Sequence, residues 1–110
     1  MNDVSANNKR SSERFKVNGR AKAMNSAGAI FQGKIVDISM TGVSVLMGDK
    51  PVIKEVVTLD CNIFHNGQPN VFQIKALTVY AILSSGQFKV GFQFDPNNPV
   101  AKKIIGQLAA

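Results

Sequence analysis

From Phe15 onward the chain alternates. Phe15, Val17, Gly19, Ala21 and Ala23 fall on one side of an extended backbone, and Lys16, Asn18, Arg20, Lys22 and Met24 on the other. A period of two marks a strand with one buried face. Asn25-Ser26-Ala27-Gly28 reads as a turn. A second strand is predicted from about residue 29 to 37 or 38, with apolar residues on both faces. Met40-Thr41-Gly42 breaks it, Val43, Val45 and Met47 carry a third strand, and Gly48-Asp49-Lys50-Pro51 ends that one. In the fourth strand Val57, Leu59, Cys61 and Ile63 alternate with Thr58, Asp60, Asn62 and Phe64. Residues 65–70 are predicted as a loop around an Asn-Gly turn signal.

The fifth strand is predicted over residues 71–83. Phe72, Ile74 and Ala76 share one face, whereas Leu77, Val79, Ala81 and Leu83 carry the apolar phase further on. Such a shift predicts a β-bulge or a bend, as barrels need. After Ser84-Ser85-Gly86, Phe88, Val90, Phe92 and Phe94 alternate without error, and three rings on one face predict a barrel interior. Asp95-Pro96-Asn97-Asn98-Pro99 stops the sheet. Asn98 is a good N-cap and Pro99 suits the first helical turn. Val100, Ile104 and Leu108, spaced four apart, predict a helix over residues 99–109 that covers one end of the sheet. The pattern is therefore all-β, with six strands and one short C-terminal helix.

At 110 residues and 45% hydrophobic content, one ordinary folded domain is expected and wholesale disorder is excluded. Cys61 is the single cysteine, so an internal disulfide and a cysteine-based metal site are excluded. Its place in the apolar phase makes it a small core residue rather than a reactive thiol. His65, the single histidine, falls in a predicted loop with no partners for a metal. Residues 1–8 lack the apolar run of a signal peptide, and no run is long enough to span a membrane. A reducing cytoplasm is the expected location.

The net charge of +6 is unevenly spread. Arg10, Arg14 and Arg20, together with Lys9, Lys16 and Lys22, stand against only Asp3 and Glu13 in the same stretch. Residues 1–13 read as a flexible polar arm that cannot join a core. Concentrated basic charge favours an anionic partner: a nucleotide, a nucleic acid or an acidic protein face. It does not choose among them, and a solvated arm that aids solubility would carry the same charge.

Two short stretches carry the chemistry. Arg10-Ser11-Ser12-Glu13-Arg14 sets two guanidinium groups four residues apart. Asp37-Ile38-Ser39-Met40-Thr41-Gly42 sets a carboxylate, a hydroxyl and a glycine at a strand-to-strand turn. A guanidinium fork fits phosphate oxygens or the O6 and N7 acceptors of guanine. An ionised aspartate only accepts, which suits the N1–H and N2–H donors of guanine. No nucleophile–histidine pair, metal cluster or GxxxxGK loop accompanies them, so a binding module is expected rather than an enzyme.

This RxxxR followed by DxSxxG resembles the PilZ domain, the bacterial receptor module for cyclic di-GMP, and the likeness extends over nearly the whole chain. Val90-Gly91-Phe92-Gln93-Phe94 is similar to the closing strand of that family. The resemblance implies a six-stranded antiparallel β-barrel with a basic arm and a C-terminal helix. It implies that Arg10 and Arg14 clamp the ligand's phosphates and guanine faces. Asp37 and Ser39 would contact guanine and nearby ligand groups, and Gly42 would shape the turn. It also implies no further cofactor, no membrane insertion, and a protein partner that reads the liganded surface. In the family the residue before RxxxR influences whether one dinucleotide or a stacked pair binds. Lys9 holds that place here, and a lysine stacks less well than an arginine.

Two other readings stay open on the residues. One is a PilZ-like interaction module that works through protein contacts alone, against which the complete motif counts. The other is a small basic barrel that binds single-stranded nucleic acid. That reading needs exposed aromatics, and Phe88, Phe92 and Phe94 are predicted to face inward.

Overall fold

Alternating strands bury one face only if the sheet finds something to cover it, and here the sheet closes on itself. The structure, a computed structural model, describes residues 13–109. The strands are β1 (Phe15–Met24), β2 (Ile30–Ile38), β3 (Gly42–Met47), β4 (Val56–His65), β5 (Gln68–Ser84) and β6 (Gln87–Gln93), followed by α1 (Pro99–Ala109). They form a closed antiparallel barrel in the order β1-β2-β3-β6-β5-β4, with β1 returning to pair with β4. Small side chains on β1 let that seam close: Ala21 lies opposite Cys61 and Ala23 opposite Leu59, all buried. Ile35, Val45, Ile63, Val90 and Phe92 fill the interior.

The succession of six strands and a helix along the chain, and the inward phases of β1, β3, β4 and β6, match the sequence pattern. Asn98 caps α1 as expected, its Oδ1 accepting a hydrogen bond from the Val100 amide at 2.8 Å. The predicted arm, Glu13 apart, lies outside the described residues.

Three expectations need correction. The loop over residues 65–70 shrinks to a two-residue turn, because Asn66 and Gly67 both take positive φ (53° and 75°) and the ladder resumes at Gln68. That backbone matches the twist of the flanking strands, so no longer loop is needed. In β5 the phase does shift, but later than predicted: the irregularity lies between Thr78 and Tyr80. Thr78 therefore stays buried with Ile74 and Ala76, and Val79 falls in the irregularity and is exposed. Beyond it Ala81 and Leu83 do share the inward phase of their partners Val90 and Phe88, although Leu83, next to the end of the strand, is exposed. On α1 the buried positions are Ala101, Ile104 and Ile105, with Val100 and Leu108 only partly buried. A helix lying on a barrel end buries a broad face at i, i+3 and i+4, wider than the i, i+4, i+8 line.

Candidate functional site

The site is built by one irregularity. Along β2, Ile35 points into the barrel, and a register shift between Ile35 and Asp37 resets the phase. Asp37 then emerges on the outer wall beside Ser44 of β3, its cross-strand partner. Arg14 immediately precedes β1, whose Lys16 pairs with Asp37, so its side chain starts next to that carboxylate.

Arg14 spreads over this corner. Its Nε and Nη2 both approach Asp37 Oδ1, each at 2.7 Å. Nη1 donates to Ser39 Oγ at 3.3 Å and Nη2 to Ser44 Oγ at 3.1 Å. The guanidinium side chain remains 41% exposed and the Asp37 side chain 15%. One planar cation thus meets a carboxylate and two hydroxyls, a geometry that suits its fork.

Ser39 itself is fully buried and braces the turn. Its amide donates to the Gly42 carbonyl at 2.8 Å. Its Oγ accepts from the Thr41 amide at 3.2 Å and lies 3.3 Å from Thr41 Oγ1. The Thr41 carbonyl in turn accepts from the Phe94 amide at 2.9 Å, which pins the turn to the end of β6. Gly42 is steric: a Cβ there would run into the Phe92 carbonyl oxygen of β6.

The corner continues across the wall. Registers place Lys16, Asp37, Ser44, Gly91 and Tyr80 in one row over β1, β2, β3, β6 and β5. Gly91 is bare because the Tyr80 ring lies over it, where a Cβ would strike that ring. The Tyr80 hydroxyl ends 3.4 Å from Ser44 Oγ. Arg14, Thr41, Gly42, Tyr80, Gly91 and Gln93 are among the residues that line a cleft of about 230 Å³ here. The arrangement offers a forked cation, a carboxylate acceptor and an aromatic face, side by side and open to solvent.

Of the residues singled out in the sequence, Arg14, Asp37, Ser39 and Gly42 come together. Lys9 and Arg10 lie outside the described residues. Ser44 and Tyr80 were missed. Ser44 is a hydroxyl in the outward phase of an otherwise apolar strand, and Tyr80 is the only tyrosine, sitting at a phase shift. Each is a faint signal alone, since only the pairing of β3, β6 and β5 brings them together. Among the described residues no group of His, Cys, Asp and Glu could hold a metal ion.

The family model for the PilZ domain matches residues 8–110. No curated protein sequence matches the chain. Among solved structures, the PilZ domain of YcgR from Escherichia coli, held with c-di-GMP, superposes with a TM-score of 0.63 at 13% identity, covering 89% of each chain. The longer YcgR structure from Escherichia coli in complex with c-di-GMP gives 0.68 at 13% identity, over 89% of this chain and 45% of that one. The inhibitor of motility MotI/DgrA from Bacillus subtilis gives 0.64 at 11% identity, over 87% and 47%. The chain spans about half the length of these last two. At such identities the likeness is one of fold.

Proposed function

The chain belongs to the PilZ domain family, and we propose that it is a receptor for cyclic di-GMP, a binding module rather than an enzyme. The observation that carries this reading is the convergence of Arg14 on Asp37 and Ser39, residues from the two ends of the motif pair, at an exposed corner of the barrel. YcgR, whose fold this chain shares, is held with c-di-GMP in its structures. In the bound state Arg10 and Arg14 would take the phosphate oxygens and the Hoogsteen edge of guanine, and Lys9 would add charge beside them. Asp37 would accept from guanine N1–H and N2–H. Ser39 would act mainly by holding the turn, and Tyr80 offers a ring for a base to lie against.

Signalling follows from the same corner. Met40 and Thr41 of the turn face Ile105 and Ala109 of α1 across an opening of about 580 Å³. A ligand that moves the turn therefore changes the surface between barrel and helix, where a partner protein would read it.

Calorimetry with cyclic di-GMP tests the reading and gives the stoichiometry directly. Saturable binding that is lost in an Asp37→Ala variant with an intact fold is expected. Failure of the wild-type chain to bind would leave the protein-contact module as the better account.

A further inference from the structure

The wall of the barrel away from Arg14 carries a second, unassigned feature. Outward positions on β2, β1, β4 and β5 fall into rows through the strand registers. Lys34, Arg20, Asn62 and Val71 form one row, and Gln32, Lys22, Asp60 and Gln73 the next. Arg20, Lys22, Asp60, Asn62 and Val71 are among the residues that line a groove of about 300 Å³ between these rows.

Three properties of the groove are independent of each other. Its charge is positive: Arg20, Lys22 and Lys34 gather around it, and none makes an ion pair among the described residues, where the single pair is Arg14–Asp37. The one carboxylate, Asp60, already accepts from Gln73 Nε2 at 2.7 Å. On its floor Asn62 Oδ1 is buried without a hydrogen-bond partner, a costly state for an acceptor. At its side Val71, near the start of β5, is 75% exposed, and Phe64 stands one row beyond at 52%.

We propose that this wall is a docking face for an extended acidic segment of a partner protein, separate from the site at Arg14. Carboxylates answer Arg20, Lys22 and Lys34. Turned outward, the Asn62 amide brings Oδ1, buried in the free wall, to a backbone N–H of the segment, and an apolar side chain covers Val71. A nucleic-acid strand fits less well. Its phosphodiester backbone only accepts hydrogen bonds, and base stacking needs aromatic rings interleaved with the cations, whereas the apolar contact inside the groove is a valine. The two sites share β1, β2 and β5 but use different stretches of them, residues 20–22, 32–34 and 71–73 here against Lys16, Asp37 and Tyr80 at the Arg14 corner, so both can be occupied at once.

The test maps amide chemical shifts of the full chain on titration with an octaglutamate peptide. Shifts at Arg20, Lys22, Lys34 and Asn62 are expected, with affinity falling tenfold or more in an Arg20→Glu/Lys34→Glu variant. An Arg20→Gln/Lys34→Gln variant should fall in the same direction and guards against misfolding. Cyclic di-GMP, read at Asp37 and Ser44, should titrate both variants as it does the wild type, so the two readings fail separately. Shifts confined to the Arg14 corner, or none at all, overturn the proposal. So does an oligothymidylate that displaces the peptide from this wall at lower concentration than the peptide itself needs.

Discussion

The Arg14 guanidinium bonds Asp37, Ser39 and Ser44 in the free protein, so it belongs to the barrel wall as well as to the arm. It stands just before Phe15, the residue at which the alternation begins, yet its side chain is tied to β2 and β3. A partly exposed pair of this kind contributes at most about 1 kcal/mol. Arg14→Ala should therefore lower the melting temperature by about 4–8 °C at most. Its effect on cyclic di-GMP binding should be larger, since a charge-assisted hydrogen bond contributes about 1.5–3 kcal/mol, or roughly 10- to 150-fold in affinity. Arg14→Lys should recover only part of either loss, because the fork is gone. Calorimetry and melting on the same preparations check both numbers, and wild-type affinity in Arg14→Ala would remove Arg14 from the site. Cys61 offers a second residue-scale prediction. It is 2% exposed, and burial, aided by the Asp60 charge, pushes its thiol from 9.0 up to about 12. In the unfolded chain the thiol ionises first, so the stability tied to its protonated form is complete below pH 9 and lost as pH rises from 9 towards 12. The stability gap between wild type and Cys61→Ala should narrow by about 1.4 kcal/mol between pH 8 and pH 10. Urea unfolding at the two pH values measures it, and a constant gap would show that the thiol ionises freely in the fold.

At the scale of elements, what matters is how closely strands can approach. Gly42 faces backbone, the Phe92 carbonyl, whereas Gly91 faces only the Tyr80 ring. Backbone in a closed barrel cannot step aside, but a ring can swing away. Gly42→Ala should cost stability in the overpacking range of about 1–3 kcal/mol, and Gly91→Ala clearly less. Gly91→Ala should nonetheless weaken nucleotide binding by lifting Tyr80 from the wall, with no change of charge. Thermal melts rank the two variants. An order opposite to this would mean that β3 and β6 yield more easily than a tyrosine side chain. Thr78 adds a test of the β5 bulge, since its Oγ1 is buried with no partner. Thr78→Val should raise stability by about 1 kcal/mol, the order of the penalty for an unpaired hydroxyl. A lower melting temperature would show that the hydroxyl is satisfied after all. The strands themselves were legible because alternation is local, as in Phe88 to Phe94. The position of the bulge was not, since Leu77 and Val79 are apolar enough for either phase and only pairing with β6 decides. The candidate site divides in the same way. Asp37, Ser39 and Gly42 sit within six residues and announce themselves, while Ser44 and Tyr80, 36 positions apart, meet only once β3, β6 and β5 are side by side.

For the whole molecule, the question is whether a chain of net charge +6 recognises one dinucleotide or merely attracts anions. The two behave differently with salt. A protein that collects many phosphates loses affinity steeply, by about 10³–10⁵ between 50 and 200 mM salt when it makes about 6–10 contacts. A ligand with two phosphates, held by a guanidinium fork, a carboxylate and a ring, should lose far less. Binding to the folded state alone stabilises by about 2.7 kcal/mol at a hundred times the dissociation constant. For a domain of this size that is roughly 10–20 °C in melting temperature. Cyclic di-GMP should give a rise of that order and keep most of it between 50 and 200 mM salt. Its linear dinucleotide should give less, because the ring no longer holds two guanines and two phosphates in one arrangement. An oligothymidylate of greater charge should give a shift that collapses over the same salt range. Differential melting with the three ligands across salt is the experiment. If all three shifts vanish together, the basic charge is the recognition and the Arg14–Asp37 corner carries no specificity. If only the cyclic dinucleotide keeps its shift, selectivity resides in fixed donors and acceptors. Arg14→Ala should then cut that salt-resistant part by half or more, as a roughly 10- to 150-fold loss of affinity implies, and leave the salt-sensitive part as it was.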